Sequence, residues 1–162
     1  MTQDLNSYFK ELGCDYWYEY DKVYGDLDVK DKVVIQVGGD CGSSAIYFVM
    51  KGAKRVIFYE SDPNLVEKFR KDVCSWFDCS RIEARGKWDG KDYPDGDIFT
   101  IDCEGCEVSL DFSAIRKYQI CLVSVHNWIP YEGWTKLIPN LVNWKLVYSS
   151  RDSKELTFRS PW

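Results

Sequence analysis

The chain has 162 residues, about the length of one domain, and 45% of them are hydrophobic, which is enough for a sizeable core. Its net charge of −5 argues against general binding to a nucleic-acid backbone, which requires a basic face. No apolar run approaches the roughly 18 residues that cross a bilayer, and no signal peptide is recognised, so we expect a cytoplasmic protein without a membrane span.

We interpret residues 1–162 as a single domain in which residues 1–29 precede an α/β core of residues 30–162. Asn6–Leu12 is predicted to form a short helix. The segment Tyr16–Tyr24 is aromatic and acidic, and it either packs over the core as a lid or forms part of a substrate pocket.

Beyond residue 30, predicted strands alternate with predicted helices. The early strands are continuous apolar runs, which is typical of parallel strands covered on both faces. The predicted strands are Val33–Val37, Val56–Tyr59, Arg81–Ala84, Ile98–Ile101, Ile120–Val125, Trp144–Ser149 and Glu155–Arg159. The predicted helices are Ser43–Lys51, Pro63–Trp76, Val108–Lys117 and Trp134–Val142.

The last two predicted strands are joined only by the polar link Ser150–Lys154. This link is too short for a helical crossover, so the two strands are expected to form an antiparallel hairpin. The fold class is therefore α/β: a Rossmann-like, mostly parallel sheet of seven strands that ends in a C-terminal hairpin, with helices on both faces.

A glycine turn lies between the first strand and the first core helix. Gly38, Gly39 and Gly42 allow a sharp turn and the close approach of a ligand, and Glu60 ends the next strand where an acid can bind ribose hydroxyls. The dinucleotide pattern of glycines fails, because Asp40 occupies its second position. An acidic rim suits a sulfonium cation better than pyrophosphate, so S-adenosylmethionine is the expected cofactor.

The second motif, DCEGCE, follows the strand Ile98–Ile101. It places Asp102 and Glu104 at the edge where open α/β sheets bind ligands, and Glu107 at the start of the next predicted helix. These carboxylates either orient a substrate, act as a base or hold a cation, or else they cap a helix in a solvated loop.

The only histidine, His126, follows an apolar strand and reaches the same edge. It is either a base or metal ligand, or a structural residue. Seven cysteines are expected to be mostly free thiols, with Cys74–Cys79 as a candidate bridge. Cys103 and Cys106 are interpreted as small packing residues rather than as a zinc or redox site.

The glycine turn, Glu60, DCEGCE and the strand ending in His126-Asn127-Trp128 together resemble the FkbM family of S-adenosylmethionine-dependent methyltransferases over about residues 30–149. The family implies methyl transfer, usually to oxygen. Where the family usually has an acid at the end of the first strand, this chain has Gln36.

The resemblance implies roles for particular residues of this chain. Asp102, Glu104 and His126 are the expected catalytic residues, with Asp102 or His126 as the base and Glu104 orienting the acceptor. No metal site is predicted. The expected cofactor-binding residues are Gln36, Gly38, Gly39, Gly42, Glu60, Ser61 and Asp62.

The predicted function is O-methylation of a small molecule, a sugar or a protein acceptor, by a monomer or homodimer, with nucleic acid disfavoured as a partner. Two alternatives stay open. One is a catalytically degenerate cofactor-binding or scaffold module, which Gln36 favours. The other is a metal-assisted transferase that uses Asp102, Glu104 and His126.

Overall fold

A computed structural model describes residues 4–14 and 17–162. Seven strands form one sheet in the order β3-β2-β1-β4-β5-β7-β6. The strands are β1 (Val33–Val37), β2 (Arg55–Tyr59), β3 (Ile82–Arg85), β4 (Ile98–Ile101), β5 (Ile120–His126), β6 (Lys145–Ser149) and β7 (Glu155–Arg159). β1 to β5 are parallel, and β7 pairs antiparallel with both β5 and β6, so the predicted fold class is confirmed.

Helices cover both faces of this sheet. They are α1 (Leu5–Glu11), α2 (Trp17–Tyr24), α3 (Ser43–Met50), α4 (Pro63–Lys68), α5 (Cys74–Trp76) and α6 (Tyr131–Leu141). A π-helical turn, Phe69–Val73, joins α4 to α5 within the span predicted as one helix. Among the described residues, no helix is both long and apolar enough to cross a membrane.

Alternating strand residues build two cores. Val34, Val56 and Phe58 face a core shared with α1, α2 and α3, whereas Ile35 and Ile57 face the opposite core under α6. Successive side chains of a strand point to opposite faces, which explains why the central strands read as unbroken apolar runs.

The predicted helix Val108–Lys117 is wrong. The structure has two short 3₁₀ turns there, Cys106–Ser109 and Ala114–Lys117. Between them, a carboxylate oxygen of Asp111 accepts hydrogen bonds from the backbone N–H and the hydroxyl of Ser113, at 2.8 and 2.6 Å. Such local bonds offer the backbone an alternative to the helix, which the apolar periodicity of the segment does not reveal.

The expectation of mostly free thiols is also wrong. Three disulfides form, Cys14–Cys41, Cys74–Cys79 and Cys103–Cys106, and Cys121 is a buried free thiol whose pKa burial raises to about 12. Only the second of these bridges was a predicted candidate. Cysteine spacing alone does not determine pairing, because pairing depends on which segments the fold brings together.

Candidate active site

A cleft of about 610 Å³ opens at the carboxyl ends of the parallel strands. This is the edge at which open α/β sheets bind ligands, and the volume suits a cofactor-sized molecule. The predicted site residues that line it are Gln36, Gly38, Glu60, Ser61, Asp102, Glu104 and His126. Gly39, Gly42 and Asp62 are not among its lining residues: the two glycines belong to the glycine turn, and Asp62 is the exposed N-cap of α4.

The glycine turn is held against the neighbouring strands through its backbone. The N–H groups of Gly38 and Gly39 both donate to the carbonyl oxygen of Tyr59, at 2.9 Å. Gly38 has a φ of 89°, and a Cβ there would lie 1.7 Å from the carbonyl oxygen of Asp102. Glycine at this position therefore lets the turn approach the loop that follows β4, and the cleft begins where the two meet.

Gln36 is buried beneath this turn, with 2% of its surface exposed. The hydroxyl of Ser44 donates to its Oε1 at 2.8 Å, and its Nε2 lies 3.5 Å from the carbonyl oxygen of Gly38. The Gln36 amide thus connects β1, α3 and the turn within the protein.

Glu60 organises the rim of the cleft beyond β2. Its two carboxylate oxygens accept hydrogen bonds from the backbone N–H groups of Asp40, at 2.8 Å, and Asp62, at 2.9 Å. Asp62 in turn caps α4 by accepting from the N–H of Asn64. One carboxylate therefore holds the glycine turn and the α4 entrance together and still faces the cleft.

The DCEGCE loop, residues 102–107, forms the opposite wall. Cys103 and Cys106 are joined by a disulfide, and Glu104, with a φ of 55°, is exposed at the cleft. Glu107, by contrast, is fully buried and accepts from the N–H of Gly105 at 2.7 Å. The loop therefore turns one carboxylate outward and another into the core.

Glu107 holds His126 in a fixed orientation. One carboxylate oxygen of Glu107 lies 3.1 Å from both the backbone N and the ring Nδ1 of His126. The other ring nitrogen, Nε2, lies 3.3 Å from a carboxylate oxygen of Asp102. The Trp128 ring packs on the imidazole with 4.7 Å between ring centroids.

The contacts in this group shift the pKa values of His126 and Glu107. Burial lowers the pKa of His126, but hydrogen bonds and charge attraction from Asp102 and Glu107 outweigh it and raise that pKa to about 10. Burial raises the pKa of Glu107, but the contacts with His126 outweigh it and leave that pKa lowered. At neutral pH, His126 is therefore an imidazolium that stabilises two carboxylates.

Glu155 completes the group and is the residue that the sequence analysis missed. It is the first residue of β7 and lies opposite His126 in the antiparallel register. Burial and the nearby Asp102 raise its pKa to about 7. One ligand atom from each of Asp102, His126 and Glu155 lies within 4.8 Å of the others. The predicted hairpin puts Glu155 at the start of its second strand. Its contact with His126 follows only once β7 is known to pair with β5.

Helix α2 closes the N-terminal side of the cleft. Of the predicted aromatic segment, Tyr16 lies outside the described residues, and four side chains line the cleft: Glu19, Tyr20, Val23 and Tyr24. The Tyr20 hydroxyl lies 2.7 Å from that of Ser43, at the start of α3. The segment therefore packs on the core and also lines the cleft, and its part in a substrate pocket stays a prediction.

Comparison with other proteins gives two kinds of likeness. No family model matches the chain. Protein 158B of Sulfolobus islandicus rod-shaped virus 1 is 41% identical over 156 residues, covering 96% of this chain and 98% of that protein. Protein 65 of a Sulfolobus islandicus filamentous virus is 40% identical over 154 residues, covering 94% and 95%.

Solved structures share the fold at low identity. Aeropyrum pernix fibrillarin, crystallised with S-adenosyl-L-methionine, has a TM-score of 0.62 at 16% identity, over 85% of this chain and 70% of that one. A methyltransferase from Mesorhizobium loti has a TM-score of 0.62 at 10% identity, over 87% and 96%. A Plasmodium falciparum dimethyladenosine transferase has a TM-score of 0.61 at 16% identity, over 86% of this chain but only 58% of its own length. The fold is that of the S-adenosylmethionine-dependent methyltransferases.

Proposed function

The chain belongs to the family of the two Sulfolobus virus proteins, and we propose that it is an S-adenosylmethionine-dependent methyltransferase acting on an oxygen of a small molecule, a sugar or a protein. The observation that carries the proposal is the cleft, which has the carboxylate of Glu60, the proposed partner of the ribose, at one end and the Asp102–His126 pair at the other. Membership of the FkbM family, which the sequence motifs resemble, is part of this proposal.

The lining of the cleft fits a cationic adenosyl cofactor. Acids outnumber bases along its wall, where a sulfonium is favoured over a phosphate. The acids are Glu19, Asp40, Glu60, Asp102, Glu104, Asp152 and Glu155, and the bases are Lys87, His126 and Lys154. The fibrillarin structure holds this cofactor in the same fold, which further supports it for this chain.

Each wall has a proposed task. The backbone of the glycine turn at Gly38 contacts the methionine portion, beside the Gln36 amide, while Glu60 accepts hydrogen bonds from the ribose hydroxyls and Ser61 flanks it. Gly39, Gly42 and Asp62 do not line the cleft and act indirectly: the glycines let the turn pack, and Asp62 caps the start of α4. These positions leave the acidic loop free to receive the methyl acceptor.

S-adenosylmethionine, when bound, would supply a sulfonium methyl group to the acceptor oxygen, with S-adenosylhomocysteine as the leaving group, and the acceptor's proton would pass to a base of the protein. Asp102 is the proposed base for that proton, because both ring nitrogens of His126 are already protonated at neutral pH and cannot accept another. His126, fixed by Glu107, positions Asp102, and Glu104 orients the acceptor.

Calorimetric titration with S-adenosylhomocysteine tests the cofactor assignment. We expect Glu60→Gln to bind about ten- to a hundredfold more weakly, because hydrogen bonds to a charged group contribute ~1.5–3 kcal/mol. The exposed Glu132→Gln, on α6, is the matched control and is expected to bind like the wild type. Absence of binding by the folded wild type would contradict the proposal.

Turnover of an acceptor found by screening tests the catalytic assignment. Asp102→Asn is expected to lower kcat while the affinity for S-adenosylhomocysteine stays near that of the wild type. Full activity of Asp102→Asn would exclude it as the base. Tight cofactor binding without transfer to any acceptor class would instead favour the scaffold alternative, which the internally bonded Gln36 amide supports.

A further inference from the structure

A cation-binding geometry lies at the acceptor end of the cleft. Asp102 follows β4, His126 ends β5 and Glu155 begins β7, and these three strands are neighbours in the sheet. The sheet therefore presents two carboxylates and one imidazole from three rigid elements, with one ligand atom of each within 4.8 Å of the others.

Glu107 gives the histidine the support that metal-bound histidines usually have. It lies behind the ring, fully buried, with a carboxylate oxygen 3.1 Å from Nδ1. This contact fixes the ring plane and leaves Nε2 facing Asp102. A carboxylate on the far nitrogen orients the ring of a metal-bound histidine and makes it a better ligand.

The charge around this group also calls for a cation. Asp102, Glu107 and Glu155 carry three carboxylates around the single imidazole of His126. Lys154, which lines the same cleft, pairs with Asp152 at 3.2 Å. A divalent ion would offset the excess negative charge that these carboxylates place at the acceptor end.

We propose that Asp102, His126 and Glu155 bind a divalent cation whose open coordination positions face the cleft. Carboxylates suit Mg²⁺ and Mn²⁺, and an imidazole adds affinity for transition ions, so the donor set is best matched by Mn²⁺. The ion takes the place of the proton on His126 Nε2. This site differs from the metal-assisted alternative of the sequence analysis, because Glu155 replaces Glu104 as the third ligand.

The cation deepens the proposed methyl transfer, on which its catalytic role rests. An acceptor hydroxyl coordinated to the ion loses its proton more readily, because the positive charge stabilises the alkoxide. Asp102 can give one carboxylate oxygen to the ion and keep the other for that proton. The acceptor class is then a hydroxyl compound able to coordinate a metal through its reacting oxygen.

The chain's single histidine gives a direct test in the wild type. In tag-free, chelator-treated protein, Mn²⁺ alone is expected to broaden the ¹H NMR signals of the His126 ring in a saturable manner. Zn²⁺, which is diamagnetic, is expected to shift them. Unchanged ring signals at millimolar Mn²⁺ would overturn the proposal.

Two isosteric variants locate the third ligand. Glu155→Gln is expected to weaken Mn²⁺ binding by about tenfold or more, whereas Glu104→Gln, an equal charge change in the same cleft, leaves it within about threefold. Equal weakening in both would show a diffuse acidic field instead of a site, and so would overturn it.

Titration of the same metal-free samples with S-adenosylhomocysteine separates the two proposals. Cofactor binding without Mn²⁺ binding would refute the cation site and leave the proposed function standing. Mn²⁺ binding at His126 without cofactor binding would leave the cation site standing and refute methyl transfer.

Discussion

The two loops that wall the cleft are held in different ways. The glycine turn, residues 38–42, is fixed through its backbone and by the Cys14–Cys41 disulfide to the N-terminal segment. The DCEGCE loop, residues 102–107, is fixed by a disulfide within itself and by the buried carboxylate of Glu107. Added side-chain volume should therefore destabilise the glycine turn, whereas loss of a charge should destabilise the DCEGCE loop.

Glu107→Ala should cause the largest loss of stability. It removes the charged partner of the buried His126 Nδ1, while Nε2 still faces Asp102. Removing one partner of a buried charge pair costs about 3–5 kcal/mol of unfolding free energy. Glu104→Ala, in the same loop but exposed, should change it by less than about 0.5 kcal/mol. Urea denaturation of both variants measures the difference, and equal losses would contradict the division of the loop into an inward and an outward carboxylate.

The pH dependence of stability should separate Glu107→Gln from the wild type. His126 has its pKa raised to about 10 in the folded metal-free protein, against about 6.5 when unfolded. Its stabilising contribution is therefore complete below about pH 6.5 and is lost as the pH rises through 10. We expect the stability gap between wild type and Glu107→Gln to narrow from pH 7 to pH 10.

The NMR titration of the His126 ring in metal-free protein checks the same point directly. The wild-type ring should show no midpoint between pH 5 and 8, and the midpoint of Glu107→Gln should be lower than that of the wild type. A wild-type midpoint near 6.5 would mean that the two carboxylates do not hold the ring as an imidazolium.

Removing the disulfide that anchors the glycine turn should cause the next largest loss of unfolding free energy. Cys14 and Cys41 are 27 residues apart, and a loop of that length predicts a loss of about 3–4 kcal/mol in the Cys14→Ala/Cys41→Ala protein. The separation of 5 residues between Cys74 and Cys79 predicts only about 2 kcal/mol for the matching double variant. The opposite ranking in urea denaturation would show that chain entropy is not the main contribution of these bridges.

The difference between the loops also explains what the sequence could predict. The positions of the glycine turn and Glu60 at the edge of the sheet can be predicted, because their partners are local or follow from the strand order. Apolar runs also predict the strand bounds to within a residue or two. Asp102 and His126 were placed at the same edge for the same reason.

Contacts between segments that are distant in the chain could not be predicted from the sequence. The disulfide between Cys14 and Cys41, the burial of Glu107 and the position of Glu155 beside His126 all depend on how distant segments dock. Glu107 was expected at a helix start, but the predicted helix is absent and the side chain enters the core, where His126 is its partner. A carboxylate's spacing in a motif does not show which way its side chain turns.

The smallest effect should come from one methyl group added to the glycine turn. A Cβ on residue 39 would lie 2.1 Å from the Phe58 ring. Because Phe58 is fully buried, its ring cannot move away without displacing its neighbours. Gly39→Ala should therefore cost about 1–3 kcal/mol of unfolding free energy and weaken S-adenosylhomocysteine binding by shifting the turn. Gly86→Ala is the matched control, because no atom lies within 4 Å of its added Cβ, and it should be nearly neutral. Equal stability of the two variants would mean that the turn accommodates volume, and the contrast between a backbone-packed loop and a charge-held loop would then fail.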